Sequence, residues 1–172
     1  VNALSVLTQV VVVRGEKYYY QAHSKGIPKA KVKVISESDV LKLFPTQAKE
    51  FIKYQTGTMV SFTADETIFS TTKYSHKNLI SIVKDRAYLM AGLYFELIDE
   101  IENVHKHFYF EGGIKSLVQH INMNKKPLHD VFYTDGEWKD PDSNKQIAME
   151  MALQYNDSYN ERLESYVNVI HT

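Results

Sequence analysis

The chain contains no cysteine. That excludes a disulfide framework and any thiolate metal site, and it fits a reducing, cytoplasmic setting. One tryptophan, four prolines and seven glycines among 172 residues leave no room for a collagenous or low-complexity chain. An excess of one charge sign is also missing. Twenty Lys and Arg against 21 Asp and Glu give a formal net charge of −1, so no global field favours nucleic acid or an anionic membrane. Any DNA contact has to be local. No apolar run approaches the roughly 20 residues of a membrane-spanning helix; the longest, around Val10–Val13, has the length of a strand. Val1–Ser5 carries no secretory pattern and no initiator methionine, and the expectation is a piece of a longer polypeptide.

What is present reads as one globular domain, or one and a part, with a hydrophobic share of 44% and 12% aromatics. Val1–Ser5 reads as the end of a helix. Gln9–Arg14 and Lys17–Ala22 flank Gly15-Glu16 as a hairpin. Lys29–Val34 alternates like a half-exposed strand. Ile35–Tyr54 is ambiguous, with a short helix expected after Thr46. Thr56-Gly57-Thr58 opens a strand in which Thr58, Val60 and Phe62 share one face and Met59, Ser61 and Thr63 the other. His76–Tyr94 shows a helical spacing of Leu79, Ile82, Val83, Arg86, Met90 and Leu93. Phe95–Ile101 and Val104–Phe110 predict a second hairpin, and Ile114–Asn122 a helix. Val131–Thr134 predicts a short strand, Asp135–Asn144 a polar turn region. Ile147–Tyr155 and Arg162–Ile170 predict a third hairpin joined at Asn156-Asp157-Ser158. Strands interleaved with few helices argue for an α/β or α+β sandwich, with a boundary near Asn124–His129.

No motif carries chemistry by itself. Glu111-Gly112-Gly113 opens a helix, where bare N–H groups attract phosphate. P-loop spacing is absent, and the acidic residue suits the helix dipole instead, so a glycine turn is the better reading. Thr56-Gly57-Thr58 could place a hydroxyl beside a ligand, but such clusters usually mark turns. His105 and His107 project from one strand face, yet two ligands are too few for a metal site, and no metal residue is assigned. Glu96, Asp99, Glu100 and Glu102 read as a solvated turn rather than paired catalytic carboxylates. Lys115, Lys125 and Lys126 are a weak phosphate signal in a neutral chain. Tyr18 and Tyr20 share a strand face opposite Tyr19, which suits packing better than base stacking. No catalytic residue is identified, and a stand-alone, non-catalytic α/β interaction module is the alternative reading.

Four stretches in order resemble the ATPase subunits of bacterial type II topoisomerases (the gyrase and topoisomerase IV B subunits): Val1–Ser5, Gln55–Phe62, Phe110–His129 and Ala152–Asp157. The resemblance implies the second half of a GHKL-type ATPase α/β sandwich (residues 1–123), followed by the start of a transducer domain of the ribosomal protein S5 domain 2-like type (residues 124–172). Residues 37–54 are its least matched part and read as an insertion. It implies that Thr58 bonds near the adenine of ATP, that Val60 lines the same pocket, and that Arg14 stands at the pocket mouth where aminocoumarin-type inhibitors bind. It further implies ATP and Mg2+ as cofactors whose main ligands lie outside this chain. The implied partners are DNA, the A-type cleavage subunit and the preceding half of the ATPase domain. With that half missing, an open apolar sheet face or edge is expected to favour self-association. No membrane contact is implied.

Overall fold

The valine run lies in the middle of a ten-residue strand, β1 (Ser5–Arg14), where stiff β-branched side chains are favoured. In the computed structural model, which describes residues 1–172, Gly15 and Glu16 both take positive φ. This two-residue turn matches the twist of a hairpin and brings β2 (Lys17–Ser24) back with Val11 opposite Tyr20. The other side of β2 carries two short strands, β3 (Ile27–Pro28) and β4 (Lys33–Ile35). The strand expected over Lys29–Val34 is therefore interrupted. Pairing begins at Ile27 and Pro28, Lys29 N still donates to Ala22 O at 2.8 Å, and the regular ladder resumes only at Lys33 opposite Tyr20.

The ambiguous stretch folds as two helices, α1 (Glu37–Leu43) and α2 (Ala48–Phe51). Only the second is expected from the sequence. The signal for the first is a reciprocal capping box: Ser36 Oγ accepts from Asp39 N at 3.2 Å, and Asp39 Oδ2 accepts from Ser36 N at 3.2 Å. β5 (Thr56–Ala64) then pairs antiparallel with the free side of β1, so the sheet runs β3-β2-β1-β5 with β4 also on β2.

Alternation decides what this sheet buries. Val11, Val13 and Tyr18, with Tyr20 and Met59 partly buried, pack against Val40, Phe44, Ala48, Phe51 and Ile52 of the two helices and the residues that follow each. Gly57 belongs to this face. A Cβ there would lie 3.2 Å from the Phe51 ring, so the glycine of Thr56-Gly57-Thr58 lets α2 approach the strand.

At the other end of β5, Asp65 is almost fully buried and forms an ion pair of 2.9 Å with Lys25. Its Oδ1 accepts from Thr67 N and Thr67 Oγ1 at 3.0 and 2.7 Å. The Lys25 bond, followed by the Thr67 bonds, holds its carboxyl down at about 2. A depressed folded-state pKa stabilises the fold above the ordinary Asp value near about 4. That contribution is lost as the pH falls from there through about 2. Asp65→Asn should therefore flatten the acid limb of a stability–pH profile measured by urea unfolding, leaving a lower plateau at neutral pH. An acid limb as steep as that of the parent chain would contradict this.

Residues Val1–Lys73 form one unit and Tyr74–Thr172 a second; the boundary expected near Asn124–His129 lies inside the second. There α3 (His76–Leu89) starts at Ser75, whose Oγ accepts from Asn78 N at 3.4 Å. It stops short of Tyr94, because Gly92 turns at φ 74° and donates its N–H to Phe110 O at 3.3 Å. β6 (Phe95–Asp99) and β7 (Val104–Phe108) form the expected hairpin. Asp99 Oδ1 closes its turn by accepting from Ile101 N and Glu102 N at 3.0 and 3.1 Å. The Glu102 bond first, then a hydrogen bond between His76 Nδ1 and Asp99 Oδ2 at 2.8 Å, and then the Ile101 bond lower the Asp99 carboxyl pKa. This carboxylate thus caps the turn with one oxygen and ties it to the start of α3 with the other.

α4 (Ile114–Ile121) follows Gly113. Two expectations for the remainder are corrected. Asp135–Lys139 is strand: β8 (Phe132–Lys139) pairs along its length with β9 (Gln146–Leu153). β9 therefore does not pair with Arg162–Ile170, of which only β10 (Tyr166–Val167) and the first residue of β11 (Ile170–His171) form a small ladder. The reason lies at Asn156-Asp157-Ser158. Instead of turning back, this segment bonds to the loop after α4, with Leu128 N donating to Tyr155 O and Asp157 N to Lys126 O, both at 3.0 Å.

Candidate functional site: an open sheet face

The face of the first sheet opposite α1 and α2 carries the residues singled out from the sequence. In the β1–β5 register Arg14 stands opposite Thr56, Val12 opposite Thr58 and Val10 opposite Val60. Directly opposed residues share a face, so Arg14, Thr58 and Val60 are brought onto one surface. Val10, Val12, Tyr19 and Phe62 belong to the same surface by pairing and alternation. The sequence alone does not single out Val10, Val12 and Tyr19; the valine run hides its own alternation, and only the pairing sorts it into two faces. Val60 and Phe62 remain 55% and 44% exposed, Thr58 and Arg14 are exposed, and β5 is a sheet edge.

This surface can pack a flat apolar group against Val10, Val12 and Val60. The Thr58 hydroxyl lies beside them to orient it, and one guanidinium, that of Arg14, stands at the strand end. Such a composition, mostly apolar with a few placed polar groups, is typical of small-molecule sites. It is a wall and not a cavity. A concavity of about 450 Å³ lies in the other unit at the β8–β9 turn, among Glu137, Trp138, Lys139, Asn144 and Gln146. That one is shallow and rimmed by exposed polar chains, so the chemistry favours the sheet face.

The Phe110–His129 block and the Ala152–Asp157 block meet in the second unit. Gly113 is buried, with φ 53° and ψ −128°, and a Cβ on it would lie 3.0 Å from Ala91 Cβ. The start of α4 is thereby seated against the chain after α3. Tyr88 reinforces the contact by stacking on Phe110 at 3.8 Å. The buried Asn122 then joins the two blocks. Its Nδ2 donates to Gln154 Oε1, and its Oδ1 accepts from Asn156 Nδ2, both at 3.0 Å. Gln154 Nε2 donates to His129 O at 2.8 Å, and Tyr155 N to His129 Nε2 at 2.9 Å. The glycine turn is thus a packing device. Lys115 lies over the Tyr133 ring at 4.5 Å, a cation–π contact.

The histidine pair does gain a neighbour. Glu96 stands on the same hairpin face as His105 and His107, and these three make the one cluster in the chain with metal-ligand spacing.

Comparison with known proteins agrees with these blocks. The family described as DNA gyrase B matches residues 113–172. The DNA gyrase B subunit of Bacillus mycoides is 37% identical over 175 residues, covering 100% of this chain and 38% of the relative. That of Staphylococcus aureus is 38% identical over 176 residues, covering 100% of this chain and 24% of the relative. The chain thus spans well under half the length of these curated relatives.

Among solved structures, the 43K ATPase domain of Thermus thermophilus gyrase B, in complex with an aminocoumarin, superposes with a TM-score of 0.77 at 24% identity. The match covers 99% of this chain and 42% of that one. The gyrase B subunit from Myxococcus xanthus gives a TM-score of 0.80 at 20% identity, covering 98% and 44%. These likenesses show the fold: a mixed α/β architecture shared with these gyrase B structures. By these sequence matches the chain belongs to the DNA gyrase B family.

Proposed function

We propose that this chain is part of the ATP-hydrolysing subunit of a bacterial type II DNA topoisomerase. In that role it serves a cytoplasmic protein that couples ATP binding and hydrolysis to the passage of one DNA duplex through another, together with an A-type cleavage subunit. The open face of the first sheet is one wall of the nucleotide pocket. Val60 packs the adenine, Thr58 fixes its orientation, and Arg14 stands at the mouth, where an aminocoumarin would meet it. Residues 124–172 begin the transducer, a reading supported by the start of the family match at Gly113.

The observation that carries this reading is the shared, uncovered face of Arg14, Thr58 and Val60, opposite a face closed by α1 and α2. A hydrolytic site also needs a metal, a general base and a phosphate cradle. In this reading the Mg2+ ligands, the base and the cradle come from residues outside this chain. Until they are present, the apolar face and the free β5 edge favour self-association.

Calorimetric titration of the 172-residue chain with Mg-ATP should give no micromolar binding. A polypeptide extended to the length of the relatives should bind. Micromolar binding by the short chain would overturn the division of the pocket. An extended protein that binds no nucleotide would overturn the function.

A further inference from the structure

The β6–β7 hairpin presents two different faces. Phe95, Leu97 and Phe108 lie on one, with Phe108 buried. On the other, Glu96 is paired directly with His107, and His105 with Ile98, two residues further along the ladder. Glu96 Oε1 lies 2.5 Å from His105 Nε2 and 3.9 Å from His107 Nδ1. The His105 and His107 ring centroids are 4.3 Å apart. One donor atom from each residue falls within 4.8 Å of the other two, close to the spacing of ligands around one transition-metal ion with bonds of about 2.0–2.2 Å. Glu96 and both histidines keep about half of their side-chain surface in water, which leaves an ion free to complete its coordination with solvent.

We propose that Glu96, His105 and His107 form a binding site for a divalent transition-metal ion of the zinc type. Two imidazole nitrogens and one carboxylate oxygen are a donor set that suits zinc, copper or nickel. Magnesium and calcium, which take oxygen ligands, are poorly served by it. The site separates His-x-His on one strand from a carboxylate on its antiparallel partner, so closing it also ties β6 to β7. The Tyr94 hydroxyl forms a hydrogen bond with His107 Nδ1; an ion takes that nitrogen and releases the hydroxyl. The site is independent of the nucleotide reading, because its three ligands lie in the second unit and none belongs to the open sheet face.

The test is a titration of the metal-stripped 172-residue chain with Zn2+ by calorimetry and with Co2+ by its visible d–d absorption, in buffer above the ordinary imidazole pKa of about 6.5. One ion per chain should bind in the micromolar range, with an intense Co2+ band of low coordination number. His105→Ala and His107→Ala should each weaken binding by more than about tenfold, and Tyr94→Phe should leave it unchanged or tighter. Lys106→Ala, on the opposite face, should leave both affinity and circular dichroism unchanged. Absence of saturable binding would overturn the proposal. So would an affinity that survives both histidine substitutions, which would move the metal to the chain's other histidines. A loss in Tyr94→Phe as large as in the histidine variants would also overturn the ligand set.

Discussion

Replacing Phe44 with alanine should destabilise the first unit by about 3–5 kcal/mol, the usual cost of emptying a buried phenylalanine site. Phe44 follows α1 directly and is 7% exposed, packed with Val11, Val13, Tyr18, Val40 and Ala48. The two helices it joins are seven and four residues long. Helices that short do not persist by propensity alone. They stand because their apolar side chains cover one sheet face, and Phe44 is the largest buried side chain that this helical layer supplies. Ala48 N also donates to Phe44 O at 3.0 Å, so loss of the side chain loosens the connection as well as the core. Urea unfolding, followed by far-ultraviolet circular dichroism, reads the change. A midpoint shift equivalent to less than about 1 kcal/mol would mean that the helices are not the cover of this face.

Gly113→Val is expected to be the most damaging single change in the second unit. The residue sits at φ 53° and ψ −128°, where any L side chain is strained at about 1–3 kcal/mol. A Cβ would also press on Ala91 at 3.0 Å, with Tyr88 O at 3.6 Å, and overpacking of that kind typically costs a further roughly 1–3 kcal/mol. The neighbouring Gly112→Ala is the control. Its added Cβ would meet Ser116 Oγ at 2.6 Å, but a serine hydroxyl can rotate away. Unfolding free energies should therefore separate the two variants by several kcal/mol, with Gly113→Val the less stable. Equal effects would show that the turn, and not the seat against Ala91, sets the requirement.

Local signals carry most elements of the fold. Gly15-Glu16 between β-branched and aromatic runs marks the first hairpin. The alternation of Thr58, Val60 and Phe62 marks the face of β5. α1 is written in its Ser36–Asp39 capping box, but the surrounding Lys and Glu mask its apolar stripe. Longer-range pairing is less legible. Asn156-Asp157-Ser158 has turn composition, yet its partners are Lys126 and Asn122, more than thirty residues earlier by the contacts made. β8 is hidden because Asp135–Lys139 is exposed throughout, so no alternation appears. The third metal donor is invisible for a related reason: only the β6–β7 register brings Glu96 across to His107.

The same distinction applies to the open face. Period two places Thr58 and Val60 together, but only pairing with β1 adds Arg14, and only α1 and α2 show which face is already occupied. Isothermal titration of an extended, nucleotide-competent protein with a non-hydrolysable ATP analogue is the direct test. Val60→Asp and Thr58→Val alter the open face, while Met59→Ala alters the face packed on the helices. Val60→Asp should abolish measurable binding. Thr58→Val should weaken it by about 1–3 kcal/mol, the cost of leaving a hydrogen-bond partner unsatisfied. Met59→Ala should lower stability but leave the dissociation constant of the folded protein unchanged. Unchanged affinity in both open-face variants, or a loss confined to Met59→Ala, would contradict the account.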